Sequence, residues 1–191
     1  MYTREYEFTA VHEAGHAVCI AHFPPANTAL ASLAIAYPEM IPERLKEIEI
    51  WYDKEKERYD GRTCYSPYDL KYEQSLFIAL GGRVAEWMVT TDETWDITAI
   101  QKELFSGKFE DTQDMDDIYK CLEWINKDHH MEKALTTTLS RACSALAENW
   151  KLVLQVASEL LSTYEPVARV AKISYDNLLS ATKAQLMQLR D

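Results

Sequence analysis

Apolar residues recur at helical spacing along most of the chain. From Thr9 to Phe23 most positions other than His12, Glu13, His16 and His22 are apolar or small. That pattern predicts a buried helix over about Tyr6 to Phe23, stopped by Pro24-Pro25. Ala31 to Tyr37 is short and partly alternating, and it is the one stretch that predicts a strand. Pro42 to Arg58 is densely charged and predicts a solvated arm, helical or hairpin, without chemistry of its own. Gly61 to Pro67 predicts a loop. Asp69 to Val89 predicts a strongly apolar helix carrying Leu70, Leu76, Phe77, Leu80, Val84, Trp87 and Met88. Gly81-Gly82 interrupts that helix, and each glycine costs about 1 kcal/mol against alanine. A helix that carries such a cost is expected to pack closely against something there. Thr90 to Gly107 is less regular. Thr112 to Lys127 predicts a further helix, and Met131 to Leu189 predicts two or three long ones. Leu135, Leu139, Ala142, Leu146, Trp150, Val153, Val156, Leu160 and Leu161 form the apolar side of that last region, and Pro166 breaks it. The expected architecture is mostly α: a helical domain with a short β element beside its first helix and a C-terminal helical bundle. One domain is expected over 1–191, with a site-bearing half over 1–130, C-terminal helices over 131–191 and a charged insertion over 42–60.

Composition narrows the function classes. A chain of 191 residues with 47% hydrophobic content can bury one good core. Its net charge of −11 and pI of about 4.9 disfavour nucleic acid and anionic membrane as partners. The cysteines Cys19, Cys64, Cys121 and Cys143 lack metal-type C-x-x-C spacing. Three of them fall in helical apolar patterns, which predicts reduced core thiols. The N-terminus has no basic segment followed by an apolar run, and the longest apolar stretch, Ala29 to Tyr37, is too short to span a bilayer. The cytosol is the expected location.

The strongest chemical signal is His12-Glu13-Ala14-Gly15-His16. Two histidines four apart lie on one helix face, so their imidazoles can converge on one metal ion. The glutamate after the first histidine can reach a water in the metal's open position. This is the equipment of a zinc hydrolase that cuts amide bonds. With five histidines in the chain, random placement would yield His-Glu-x-x-His on the order of 0.01 times. The apolar flanks point the same way. Unpaired polar groups on a buried helix are costly, and a metal would satisfy both imidazoles.

A catalytic zinc needs a third protein ligand. A metzincin continuation requires a glycine and a histidine at fixed spacing after His16. The chain instead reads Ala-Val-Cys-Ile-Ala-His22, so that pattern fails. His129 and His130 are ligands by chemistry but sit at a helix junction with no supporting pattern.

His12-Glu-Ala-Gly-His-Ala17 and Ala79-Leu-Gly-Gly-Arg-Val-Ala-Glu86 together resemble the peptidase domain of the FtsH-type ATP-dependent zinc metalloproteases. In that family an aspartate in a Ser-Asn-Asp-Leu-like setting at a helix start is the last zinc ligand. Thr112-Gln113-Asp114-Met115-Asp-Asp-Ile118 matches that setting in character, so the resemblance implies Zn²⁺ held by His12, His16 and Asp114. The likeness runs over about Tyr6 to Leu189. It departs at Ser106-Gly107-Lys108-Phe109-Glu110-Asp111, where the stretch before the aspartate motif is longer and Asp111 becomes a rival ligand. Glu86 is a further carboxylate, expected to orient a ligand or an arginine rather than bind zinc. Arg83 is expected either to pair with Glu86 on the helix surface at i,i+3 or to serve the site. The Pro42–Arg58 segment stands outside the family core.

The resemblance implies a zinc metallopeptidase with Glu13 as general base. These 191 residues contain no Gly-x-x-x-x-Gly-Lys-Ser/Thr phosphate loop, and no membrane anchor of the family's kind is expected. Its expected substrates are therefore unfolded or flexible polypeptides, or chains delivered by a separate ATPase, and self-association is the other partnership expected. The Ala31–Tyr37 strand would then sit beside the metal helix as the edge on which an extended peptide pairs. Two other readings share the motif: a zinc-binding regulatory protein that retains the fold and cuts little, and a metallohydrolase of a non-peptide amide.

Overall fold

The structure, a computed structural model, describes residues 5–23, 30–36, 60–65, 70–91, 96–104, 113–125 and 131–189. These residues form a mostly helical fold with one small antiparallel sheet. In chain order the elements are α1 (Glu5–Ala21), β1 (Leu30–Ala36), β2 (Asp60–Tyr65), α2 (Tyr72–Thr91), α3 (Ile97–Leu104), α4 (Gln113–Ile125), α5 (Met131–Glu148), α6 (Trp150–Ser162), β3 (Val170–Ser174), a 3₁₀ turn over Tyr175–Asn177 and α7 (Ser180–Gln188). Pro24-Pro25 and the charged Pro42–Arg58 segment lie outside the described residues.

The first helix is the centre of the molecule. Ala10, Val11, Ala14, Ala17, Val18, Cys19 and Ile20 are all buried, on every side of α1. A helix apolar all round must be surrounded, and α1 is: α2 and α6 lie against it, as do β1 and β2. The glycines explain how α2 comes so close. A Cβ on Gly15 would stand 2.5 Å from the Gly81 carbonyl oxygen and 2.6 Å from Ala85 Cβ. One on Gly81 would stand 2.6 Å from Cys19 Sγ. The two helices thus cross backbone against backbone, and the partner of the Gly81-Gly82 interruption is α1 itself. On its other sides α2 meets α4 and α5.

The sheet corrects three expectations. Gly61 to Tyr65 is a strand rather than a loop, and a third strand lies in the region expected to be wholly helical. The strand order is β2-β1-β3, all antiparallel. Leu33 faces Thr63 on one side and Ile173 on the other, and Ile35 faces Gly61 and Ala171. β1 is therefore the central strand, with both edges already paired, so it cannot be the edge that takes an extended peptide. Leu33, Ile35, Ala171 and Ile173 point into the core. Since directly opposed residues share a face of a sheet, Gly61 and Thr63 point the same way, toward α1.

Local chemistry fixes the remaining helices. Thr90 to Gly107, expected to be less regular, contains α3. Asp96 starts it by accepting the Thr98 and Ala99 backbone N–H groups on Oδ1, at 2.9 and 3.1 Å. Met115, Ile118 and Leu122 form the buried face of α4. Pro166 lies in the turn between α6 and β3, and α6 ends at Ser162. Glu159 of α6 is a buried carboxylate with a structural task. Its Oε2 accepts the Leu179 N–H at 2.8 Å and its Oε1 accepts the Thr182 hydroxyl, so it caps the start of α7 from outside that helix. Cys19, Cys121 and Cys143 are free and buried in the core. Burial pushes the Cys19 thiol far up, and raises Cys121 and Cys143 to about 11, so all three are protonated. Among the described residues no helix is long and apolar enough to cross a membrane.

Candidate metal centre

His12, Glu13 and His16 lie on the stretch of α1 where α2 and β2 close over it. All three are buried, with exposures of 8%, 3% and 8%. Their ligand atoms lie within 4.8 Å of one another. Among the described residues this is the one group of three such side chains close enough to share an ion.

The hydrogen bonds around the imidazoles determine what can lie between them. His16 Nδ1 is 2.7 Å from the Ile78 carbonyl oxygen of α2. A carbonyl only accepts, so that nitrogen carries the hydrogen. His12 Nδ1 is 3.0 Å from Glu86 Oε2, and it donates to that carboxylate. With both Nδ1 hydrogens committed, the neutral rings turn two Nε2 lone pairs toward each other, 3.1 Å apart. Two lone pairs at that distance repel unless a cation lies between them, either a shared proton or a metal ion. Nitrogens each about 2.0–2.1 Å from a tetrahedral ion stand about 3.3 Å apart, so the pair is spaced to chelate. The residues fit a divalent metal.

Glycine makes the room. A Cβ at Gly82 would meet both Nε2 atoms and stand 2.6 Å from His12 Cδ2. The missing methyl thus leaves free the space on which the two ligand atoms converge. Gly15 and Gly81 bring the helices together, and Gly82 keeps the contact open at the imidazoles.

Glu86 sits on the Nδ1 side of the His12 ring, away from Nε2. From there it orients the imidazole and strengthens it as a ligand rather than reaching an ion itself. Its Oε2 also accepts from Arg83 Nη1 at 3.0 Å. The i,i+3 pair expected from the sequence is present, but Arg83 is not on the surface: its side chain is only 9% exposed. Arg83, Glu86 and His12 form one chain of charge-assisted hydrogen bonds that ends at the His12–His16 pair. Replacing Glu86 with Ala should lower affinity for an added divalent metal about 10- to 100-fold with the helical signal retained, as read by competition against a chromogenic chelator. Parent-like affinity would show that the Nδ1 contact does not tune the ligand.

Two neighbours of Glu13 were not expected from the sequence. Thr63 of β2 donates its hydroxyl toward Glu13 Oε2 at 2.6 Å and toward the Glu13 carbonyl at 3.0 Å. Gly61 lies under the other carboxylate oxygen, where an added Cβ would meet Oε1. The only signal in the sequence was the glycine itself, because the pairing that makes 60–65 a strand joins it to residues some thirty positions away.

The proposed third ligand lies at the start of α4. Asp114 is the second residue of that helix, which packs on the α2 that bears Gly82 and Glu86. The Asp114 side chain, Asp111, His129 and His130 lie outside the described residues. Compared with protein-family models the chain matches none, and no curated protein matches it significantly.

Proposed function

We propose that this chain is a zinc-dependent metallopeptidase of the FtsH-type kind, with His12, His16 and Asp114 as ligands and Glu13 as general base. The observation that carries it is the pair of Nε2 atoms 3.1 Å apart, each on a ring whose Nδ1 hydrogen is already committed. Bound Zn²⁺ supplies Lewis acidity there, polarising a scissile carbonyl and making a water more nucleophilic. Glu13 accepts a proton from the attacking water on its carboxylate and hands it to the leaving amine. Its near-complete burial holds that transfer away from bulk solvent. His12 and His16 donate lone pairs, kept directed by Glu86 and the Ile78 carbonyl. Glu13 held beside the pair supports a hydrolase over a protein that holds the ion without cutting, since a purely structural site needs no base.

The substrate is polypeptide in an unfolded or flexible stretch. β2 replaces β1 as the strand proposed to receive it. Thr63 of β2 lies 2.6 Å from the Glu13 carboxylate, so a peptide received along this strand runs close to the proposed base. Cys19, Cys121 and Cys143 as free thiols fit a reducing compartment, the cytosol.

Zinc content and digestion of an unfolded protein test the reading together. The purified chain should hold one zinc and degrade casein. Chelator should stop the digestion, and added zinc should restore it. A chain that holds no zinc, or one that cuts equally well in chelator, overturns the proposal.

A further inference from the structure

Glu13 is gripped by a strand that contributes no ligand. Thr63 and Gly61 are two apart on β2, so both face α1, and they bracket the carboxylate. Thr63 Oγ1 lies 2.6 Å from Oε2, and Oε1 rests over the Gly61 backbone. Adding a Cβ to Gly61 would also put it 2.8 Å from Glu13 Cδ and 2.8 Å from Thr9 Cγ2, so the side chain has little room to turn on that side. A buried carboxylate needs a donor for the oxygen it does not use in chemistry. Thr63 is that donor. Its hydroxyl also lies 3.0 Å from the Glu13 carbonyl, which ties the strand to the helix at the same residue.

We infer that Thr63 is a positioning residue for the proposed hydrolysis: its hydroxyl holds the Glu13 carboxylate in the orientation that faces the His12–His16 pair. The inference rests on the metallopeptidase reading. It assigns Thr63 no contact with metal or substrate. Its side chain points to α1, whereas a peptide pairing on β2 would use the strand's backbone edge. Loss of the hydroxyl therefore acts on the chemical step and spares both the ion and substrate binding.

Three variants test this in the zinc-loaded chain with a fluorogenic peptide. Thr63→Val keeps the branched shape and removes the donor. Its kcat should fall about 10- to 100-fold with KM within about twofold of the parent and one zinc retained per chain. Thr63→Ser keeps a hydroxyl and should recover most of the lost kcat. Glu13→Gln provides the floor. A Thr63→Val chain as fast as the parent overturns the inference. So does a Thr63→Ser chain as slow as Thr63→Val, because shape and not the hydroxyl would then matter. If Thr63→Val fails to fold, Thr63→Ala removes the donor in its place and is read by the same kcat and KM criterion, a parent-like rate again overturning the inference. A second readout does not depend on turnover. In the cobalt-loaded proteins, the visible d–d bands of Thr63→Val should depart from the parent as those of Glu13→Gln do, and those of Thr63→Ser should not. Unchanged Thr63→Val bands overturn the positioning role. A parent that holds metal and cleaves nothing overturns the peptidase reading, while the cobalt bands still decide whether Thr63 places Glu13.

Discussion

Gly82→Ala should abolish zinc binding and leave a folded protein. The added methyl enters the space where His12 Nε2 and His16 Nε2 converge and stands 2.6 Å from His12 Cδ2. Something must shift, and the cheapest movement is rotation of the imidazoles, the free ends of two side chains. That rotation separates the ligand atoms and strains the Nδ1 bonds to Glu86 and Ile78. The fold has less to lose. Alanine in a helix gains about 1 kcal/mol over glycine, against about 1–3 kcal/mol for overpacking a tight contact. Zinc content after dialysis should fall from one per chain to nearly none, an affinity loss of at least about 100-fold, with the helical circular dichroism kept. Gly81→Ala is the control. Its methyl meets Cys19 Sγ at 2.6 Å and the Gly15 carbonyl oxygen at 2.9 Å, so it strains the α1–α2 crossing and misses the imidazoles. That variant should melt earlier and hold its zinc while folded. Parent-like zinc affinity in Gly82→Ala would place the ion somewhere other than between these two rings.

What could be read from the sequence was local. His12 and His16 are one helical turn apart, and their convergence follows from helix geometry alone. The long apolar patterns gave α1, α2, α5 and α6 for the same reason. Gly81-Gly82 announced a close approach, but its partner, Gly15 on α1, is more than sixty residues away and left no local trace. Gly61 and a run without clear alternation give the β2 segment the sequence character of a loop. Its strand character comes from Leu33 and Ile35 across the ladder. β3 was legible in principle. Ala171 and Ile173 are buried between the exposed Lys172 and the half-buried Val170 and Ser174, an alternation of period two. It was overridden by the helical runs on either side. The start of α3 was also present, with Asp96 before Ile97, Ile100 and Leu104, but a helix of 8 residues gives too few repeats to stand out. The supports of the candidate site were the least legible part. Thr63 and the Ile78 carbonyl reach across from other elements with no local sign, while the sequence suggests an orienting role for Glu86 and leaves its partner, His12, open. Only the fold brings them to α1.

Glu13→Gln should lose about 10²- to 10⁴-fold in casein or peptide cleavage and keep its zinc. Glutamine has nearly the shape of glutamate, so the Thr63 hydroxyl can still donate to its carbonyl oxygen and the contact over Gly61 persists. Packing is therefore conserved, and burying an amide in place of a carboxylate removes a charge from a site only 3% exposed. The amide cannot take the proton from the attacking water, so the loss should appear in kcat with the metal stoichiometry unchanged. Two results would redirect the assignment. Cleavage at the parent rate would remove Glu13 as the base. Loss of zinc would make Glu13 itself the third ligand, and Asp114→Ala would then retain metal. With Asp114 as the ligand, the pattern is the reverse: Asp114→Ala loses zinc and activity together, and Glu13→Gln separates them. Measuring metal and turnover on both variants therefore distinguishes base from ligand among carboxylates that chemistry alone cannot tell apart.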